Sequence, residues 1–487
     1  MDLSALQINF SIIMPEVILA AFGILVLLIG VFSSSKDEGK DHLGYISLFG
    51  VILALIFSVP LFGKVQYGFS GMVVADNFAV FFKMVFGIVC LLTMLISVGY
   101  TRQQGIGMGE YYALVLFSTV GMMLMAAGTN LLTIFLGLET MSISIYVLAG
   151  IMRKDPKSVE SAMKYFIMGA FATGFFLYGV ALIYGSTGSF HLNEIASYIS
   201  AGGSTSRSPL LIIGIALLTI GFGFKIAAVP FHMWTPDVYE GAPTSITAFM
   251  ATGVKAAAFA GLIRVFYSAL GAFQPDWTAI MWLLSVATMT LGNIVAISQS
   301  NIKRMLAYSS IAHAGYILVA FTAGNDLGTS SILFYLLAYA FMNIGAFTVV
   351  ILLGKTGEEN TLIADYAGIG FRYPLLAAAM TIFMLSMAGI PPLAGFMGKF
   401  YIFSAAVKAK FYWLAIIGVL NSAVSVYYYL RVTVLMYFRE TEREITDLAF
   451  SPAAIVGVVI AVAGVVYLGI FPSTILTLAR ASVGVLM

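Results

Sequence analysis

A single cysteine, Cys90, stands among the 487 residues. That excludes an internal disulfide and any cysteine-ligated iron–sulfur cluster, which takes about four thiolates. Charge is scarce as well. Only 9% of the residues are Asp, Glu, Lys or Arg, where a soluble globular chain carries roughly 25%. The net charge of +2 and the lack of a long Lys/Arg run argue against nucleic acid as a partner. The histidines are four, His42, His191, His232 and His313, and only two of them fall in apolar runs, which speaks against a multi-haem cytochrome. There is no G-x-x-x-x-G-K-[ST] and no G-x-G-x-x-G after a strand, so no ATP or NAD site is expected. No metal or cofactor site is expected in this chain. Met1 to Phe10 holds Asp2 and no Lys or Arg, so the basic start of a cleaved signal is missing and the first apolar run is expected to be a retained span.

What the chain has is apolar length, with 61% hydrophobic residues. A bilayer core takes about 20 apolar residues of helix. Runs at 11–32, 43–63, 78–99, 111–127, 130–151, 160–185, 210–235, 244–269, 277–297, 303–323, 328–354, 374–407, 412–438 and 452–473 predict about fourteen spans. They are continuous and long, unlike the alternating segments of about ten residues in a barrel. The predicted fold is an all-α, polytopic helical bundle forming one domain over 1–487.

Basic residues set the expected orientation. Odd-numbered loops hold Lys36, Lys40, Arg102, Arg153, Lys154, Lys157, Lys303, Arg304, Lys355, Arg372, Arg439 and Arg443. Even-numbered loops and the tail hold Lys64, Arg207, Lys408, Lys410 and Arg480. Odd loops are therefore expected inside the cell and both termini outside. The longest polar stretches, 185–208 and 355–373, read as inter-helix loops rather than linkers between domains.

Two spans are interrupted. One reads Gly221-Phe-Gly-Phe-Lys225-Ile-Ala-Ala-Val-Pro230-Phe-His232-Met-Trp-Thr-Pro236, the other Ser386-Met-Ala-Gly389-Ile-Pro391-Pro392-Leu-Ala-Gly395-Phe-Met-Gly398-Lys399. Proline removes a backbone donor and clashes with the carbonyl four residues earlier, so each helix is expected to break. Freed backbone groups at membrane depth need protein or a wet cavity around them. Paired broken helices with a lysine near each point to a transporter with internal repeats; packing kinks without a transport role are the plain alternative.

A charge at a helix centre costs about 2.5–3.5 kcal/mol on insertion scales, yet Glu139, Lys225, Lys255 and Lys399 all fall within spans. None can snorkel comfortably to an interface. Burial lowers a lysine pKa and a nearby carboxylate raises it, which suits proton transfer. A Glu139–Lys225 pair would be such a setting, favouring charged lysine when closed and proton release when open. A static buried ion pair is the other reading for each. Lys164, one turn into its predicted span, is open to snorkelling or function alike. His232 and His313 fit a proton relay or a structural histidine. Lys303 and Arg304 read as anchors at a helix end, and Glu16 and Lys83 as interfacial.

At these residues a family resemblance enters. Lys225-Ile-Ala-Ala-Val-Pro-Phe-His-Met-Trp-Thr-Pro-Asp-Val-Tyr-Glu-Gly-Ala-Pro243, followed by Thr244 to Lys255, closely resembles the proton-conducting family shared by complex I, the proton-pumping NADH:quinone oxidoreductase, and Mrp-type antiporters. The likeness runs from about span 2 to span 14. Three features narrow it to one bacterial complex I branch: the style of Phe135-Leu-Gly-Leu-Glu139-Thr-Met-Ser-Ile-Ser-Ile-Tyr-Val-Leu148, a lysine at 399 where a sister subunit would carry glutamate, and a chain that stops soon after span 14.

The resemblance implies two inverted five-helix repeats, 111–270 (spans 4–8) and 277–438 (spans 9–13), each with one broken helix. It implies proton-relay roles for Glu139, Lys225, Lys255 and Lys399, and strengthens the case for Lys164 and His232. Protons would reach Lys255 from the cytoplasm, follow a buried polar axis and leave near Lys399, with the Glu139–Lys225 pair controlling the lysines. NAD, flavin, iron–sulfur clusters and quinone are then expected in partner subunits. The expected partners are the antiporter-like and small membrane subunits of complex I and the lipid of a bacterial inner membrane. Two other readings stay open: a subunit of a Mrp-type cation/proton antiporter or related membrane-bound hydrogenase, and an assembly scaffold without transport, in which Lys225, Lys255 and Lys399 would all be replaceable.

Overall fold

The computed structural model describes residues 9–33, 40–202, 208–354, 359–440, 448 and 450–484. Its first eight spans and linkers run α1 (Met14–Phe32), α2 (Asp41–Ser58), α3 (Asn77–Gln103), α4 (Gly109–Ala127), α5 (Leu131–Ala149), α6 (Pro156–Thr187), α7 (Leu192–Ala201), α8 (Pro209–Lys225), α9 (Thr235–Gly241), α10 (Thr244–Phe249) and α11 (Lys255–Ile263). The rest comprises α12 (Gln274–Ile297), α13 (Ile302–Ala323), α14 (Asp326–Leu352), α15 (Ile369–Arg372), α16 (Pro374–Ala388), α17 (Ala394–Lys408), α18 (Tyr412–Phe438), α19 (Pro452–Ile470) and α20 (Pro472–Val483). A two-stranded antiparallel ribbon, β1 (Gln66–Gly68) with β2 (Val73–Ala75), lies between α2 and α3.

Among the described residues, twelve helical runs are long and apolar enough to cross a membrane, and the shorter apolar helices α8 and α16 are each followed by an interruption and a second helix. The chain is a multi-pass membrane protein. Sequence punctuation sets the boundaries. Side chains of Asn130, Asp155, Asn301 and Asn325 accept from first-turn amides of α5, α6, α13 and α14. Proline opens α6, α8, α16 and α19, where its missing donor costs nothing.

Two departures from the sequence reading are informative. The stretch 185–208, expected as loop, contains the ten-residue helix α7, whose Leu192, Ile195 and Ile199 are buried; the i, i+3, i+7 spacing of these residues was its signature. Helix α6 starts at Pro156 rather than 160, which sets Lys164 two turns into it.

Small residues bring helix axes close where polar side chains must meet. A Cβ on Gly121 of α4 would stand 2.5 Å from the Met141 amide of α5, and one on Gly315 of α13 would stand 2.5 Å from the Met289 amide of α12. The α4–α5 and α12–α13 pairs thus cross through glycine in both halves of the chain. The stretch Thr244–Phe266 is buried throughout, while α1, α6 and α18 show apolar residues such as Leu28, Phe171 and Leu420 outward.

Candidate functional site

Helix α8 ends at Lys225, and the chain unwinds through Ile226–Trp234 before α9. The Trp234 indole donates to the Phe224 carbonyl (3.1 Å), and Thr288 of α12 accepts from the Val229 amide (2.9 Å). Backbone groups released by the break are thus satisfied inside protein. Lys225 is 1% exposed. Its Nζ donates to Ser142 Oγ (2.8 Å) and Tyr146 OH (3.2 Å), which lie one turn apart on α5. Glu139, a turn before Ser142, is half-buried and accepts from Thr173 Oγ1 of α6 at 2.8 Å. Lys225 of α8 thus meets α5 one turn beyond Glu139, and the two charges are not ion-paired.

Lys255 lies where a π-helical turn, Met250–Val254, passes into α11, and a second π turn follows at Arg264–Ala269. Such turns are rare and concentrate at functional sites. The buried Nζ donates to the Ser310 carbonyl (2.6 Å) and to Ser310 Oγ of α13. One turn further on α13, His313 Nδ1 meets Tyr335 OH (2.5 Å) and Nε2 meets Tyr429 OH (2.9 Å). Tyr429 also bonds Ser309 Oγ. A hydrogen-bonded string thus joins the Ser309–Ser310 step, Tyr429, His313 and Tyr335.

Lys399 closes the second break. Its Nζ donates to the carbonyls of Met387 (2.9 Å) and Ala388 (3.1 Å) and to Ser422 Oγ (2.9 Å). The first two are last-turn carbonyls of α16, which lack helical partners and carry the negative end of the helix dipole. Gly389 makes this possible: its φ is +90°, and a Cβ there would stand 3.1 Å from Lys399 Cδ. The ammonium sits 4.9 Å from the centre of the Tyr316 ring, and Tyr316 OH bonds Asn293 Nδ2 at 2.9 Å. A mainly apolar cavity of about 900 Å3 between α16, α17 and α18 reaches Lys399. The structure thus brings Lys255, His313 and Lys399 to one polar core through α13, with Lys225 of α8 set against α5 near Glu139.

Residues 128–425, more than half of the chain, match the profile of the family described as NADH:quinone oxidoreductase/Mrp antiporter, transmembrane. The chain belongs to that family. It is 55% identical to the NADH-quinone oxidoreductase subunit N of Trichlorobacter lovleyi, over 99% of each chain. Among solved structures, a chain of respiratory complex I from Thermus thermophilus is 35% identical, with a TM-score of 0.80, over 96% of this chain and 99% of that one. A chain of the Mrp complex from Dietzia matches with a TM-score of 0.83 at 21% identity, over 97% of each, a likeness of fold alone. Within the family the chain resembles subunit N, as its sequence features suggest.

Other positions in this antiporter-like chain differ from the sequence reading. Lys164 is 40% exposed and pairs with Glu160 (2.6 Å) and Asp237 (2.7 Å), away from the buried core. Arg304 joins Asp237 (2.7 Å) to Glu240 (2.9 Å), and Lys157 pairs with Glu240 (2.8 Å). His232 is buried, with its ring beside the Pro230 backbone. Lys303 is no exposed anchor: it is 1% exposed and pairs with Glu359 at 2.9 Å. Glu16 and Lys83 are not interfacial either. They pair at 2.7 Å, 4% and 0% exposed, with Lys83 also donating to the Ile12 carbonyl. Arg264, inside a predicted span, was missed although an arginine there was signal enough. It grips Asp76 through two 2.9 Å bonds and donates to the Ala126 carbonyl.

Proposed function

We propose that the chain is a proton-translocating membrane subunit of an NADH:quinone oxidoreductase, carrying no redox group itself. The observation that supports this most is the chemistry around the lysines. Lys225, Lys255 and Lys399 are buried, sit at two helix breaks and a π turn, and among the described residues bond only neutral oxygens. A static ion pair would hold each with a carboxylate; a lysine bonded to hydroxyls and carbonyls is free to trade its proton.

In this reading Lys255 takes protons from the cytoplasmic side, and the Ser309–Tyr429–His313–Tyr335 string and Tyr316 carry them on towards Lys399, where the cavity offers release. Glu139 and Lys225 set the timing. With the pair open, Lys225 lies against Ser142 and Tyr146; a swing of one helical turn towards Glu139 closes it and favours the charged amine. Between the Lys225 group and the Lys255 group the described side chains form no continuous string, so water completes the path there. Two inverted repeats, 111–270 and 277–438, give each half its broken helix. The loops rich in Lys and Arg face the cytoplasm of a bacterial inner membrane, and both termini face away from it. NAD, flavin, iron–sulfur clusters and quinone belong to partner subunits, which drive the lysines through helix contacts.

The test is to purify the complex that accompanies a gently solubilised, tagged chain and assay NADH:quinone reductase activity. Activity supports the assignment. An intact multi-subunit complex without it overturns the assignment and favours a cation/proton antiporter or hydrogenase, with monovalent cation exchange as the next assay.

A further inference from the structure

At the end of the bundle bearing the basic loops, one carboxylate holds two helices. Glu359 Oε1 accepts from Tyr100 OH (2.5 Å) and Thr244 Oγ1 (2.7 Å), and Oε2 accepts from Lys303 Nζ (2.9 Å). Thr244 opens the helical run that carries Lys255, eleven residues on, or about 16 Å along the axis. Lys303 lies in the first turn of α13, which carries Ser310, the partner of Lys255. Both elements that grip the Lys255 ammonium are thus tied, at their outer ends, to the same side chain.

The tie is built rather than incidental. Backbone bonds from Ile302 N to Thr361 O (2.7 Å) and from Ile363 N to Ser300 O (2.8 Å) pin the segment that carries Glu359 onto the start of α13. Tyr100 reaches the carboxylate because α3 breaks just before it. Val98 (ψ 123°) and Gly99 (φ +87°) are non-helical, and Ser451 Oγ donates to the freed Val98 carbonyl at 2.8 Å. Only glycine takes that φ without strain.

Beside the carboxylate lies a polar vestibule of about 170 Å3, lined in part by Lys157, Glu240, Asn301, Lys303 and Glu359. At about 30 Å3 per molecule it has room for several waters. On α14, Asn343 donates to Tyr339 OH (2.9 Å), while its buried Oδ1 has no hydrogen-bond partner among the described residues and is available to water. Helix α14 packs against α10 and its π turn, and Tyr339 is in turn in hydrogen-bond contact with Ser310, the partner of Lys255, so Asn343 extends the polar surroundings of that lysine.

We propose that Glu359 is the gate on the cytoplasmic side of the Lys255 site: an incoming proton, carried through the vestibule as hydronium that leaves water behind, neutralises its carboxylate, releases Thr244 and Lys303 together and opens the way to Lys255. This rests on the relay reading above. The groups facing Glu359 are Lys303 from α13, Tyr100 from α3 and Tyr366 from the turn at 363–366, with Lys157, Asp155 and Glu240 around the same vestibule. Lys303 supplies the one positive charge in contact, so neutralising the carboxylate removes the strongest bond of the set.

The experiment uses the intact complex with Glu359→Gln, Tyr100→Phe and Lys255→Ala. Hydrogen–deuterium exchange is read at the amides of 244–249, and pumped protons per electron in inside-out vesicles. Glu359→Gln, a stand-in for the protonated gate, should raise exchange there at least about tenfold, and Tyr100→Phe about fivefold, as losses of charged and neutral hydrogen bonds imply. Both should lower the proton yield. Unchanged exchange, or faster exchange with a normal yield, would overturn the gate while leaving the relay intact. A normal yield in Lys255→Ala would instead sink the relay itself. Should Glu359→Gln fail to assemble, Tyr100→Phe decides alone, since it keeps the Lys303–Glu359 pair.

Discussion

Lys255 Nζ lies 2.6 Å from the Ser310 carbonyl and also bonds that residue's hydroxyl; no ion pair involving Lys255 occurs among the described residues. The ammonium is held by dipoles alone, within a helical stretch, Thr244–Phe266, whose residues are all buried. Lys255→Met keeps the length and removes the titrating group. It should slow proton passage through this subunit about 100-fold or more, the scale on which a positioned acid or base acts, with assembly retained. Ser310→Ala leaves the carbonyl bond in place, so its effect should be only a few-fold, the worth of one hydrogen bond. Proton-pumping rates in vesicles check both, and equal losses in the two variants would contradict the assignment.

Arg264 and Asp76 join the π-helical end of the central run to the start of α3, with side chains 4% and 2% exposed. Removing one partner of such a pair strands a buried charge and costs about 3–5 kcal/mol, whereas replacing both by apolar residues of similar size is far milder. Asp76→Leu should therefore lower thermal stability sharply, beyond the loss of its bond to the Ala79 amide. The double variant Asp76→Leu/Arg264→Met should recover much of that loss. Melting curves of the purified complex decide it: a double variant as unstable as the sum of the singles would mean that the two side chains act independently.

Legibility from sequence followed chain separation. Lys225, Lys255 and Lys399 stood out because a charge inside an apolar run violates a local rule, and the broken helices were visible in Pro230 and Pro391-Pro392. The family motif around Lys225–Lys255 then narrowed the fold. What stayed hidden were partnerships between distant residues. Glu16 and Lys83 are 67 positions apart, and each alone reads as a helix-end charge; only the folded bundle, in which α1 and α3 both pack on α2 and α4, buries them together. Glu359 is a lone acid in a polar stretch, the least conspicuous setting there is, yet folding brings Tyr100, Thr244 and Lys303 onto it. The open state of Glu139 and Lys225 was equally out of reach, since both geometries suit one sequence.

Glu359 also makes a prediction about stability and pH. Its burial, the largest single effect, favours the neutral acid, but the Lys303 charge and the hydrogen bonds from Tyr100, Thr244 and Lys303 together outweigh it and hold the carboxyl below the usual glutamate range. A depressed folded-state value means that the stabilisation is fully present above the unfolded value and fades as pH falls through the folded one. The melting temperature of the wild type should therefore drop in the acid range below the normal glutamate pKa more steeply than that of Glu359→Gln. Parallel curves would remove Glu359 from the groups that titrate on unfolding.

Glu139 and Lys225 supply the last test. In the open arrangement Thr173 holds the carboxylate at 2.8 Å and Ser142 holds the amine at 2.8 Å, so two hydroxyls compete with the ion pair. Thr173→Val and Ser142→Ala each remove a competitor and should shift the equilibrium towards the closed pair, by about 0.5–1.5 kcal/mol apiece, or about two- to tenfold in population. If opening is what frees the Lys225 proton, both variants should slow pumping by a like factor without loss of assembly. Lys225→Ala and Glu139→Ala should impair it far more. Should the hydroxyl variants pump faster than wild type, closure rather than opening would be the slow step; normal proton yield in both alanine variants would remove the pair from the mechanism altogether.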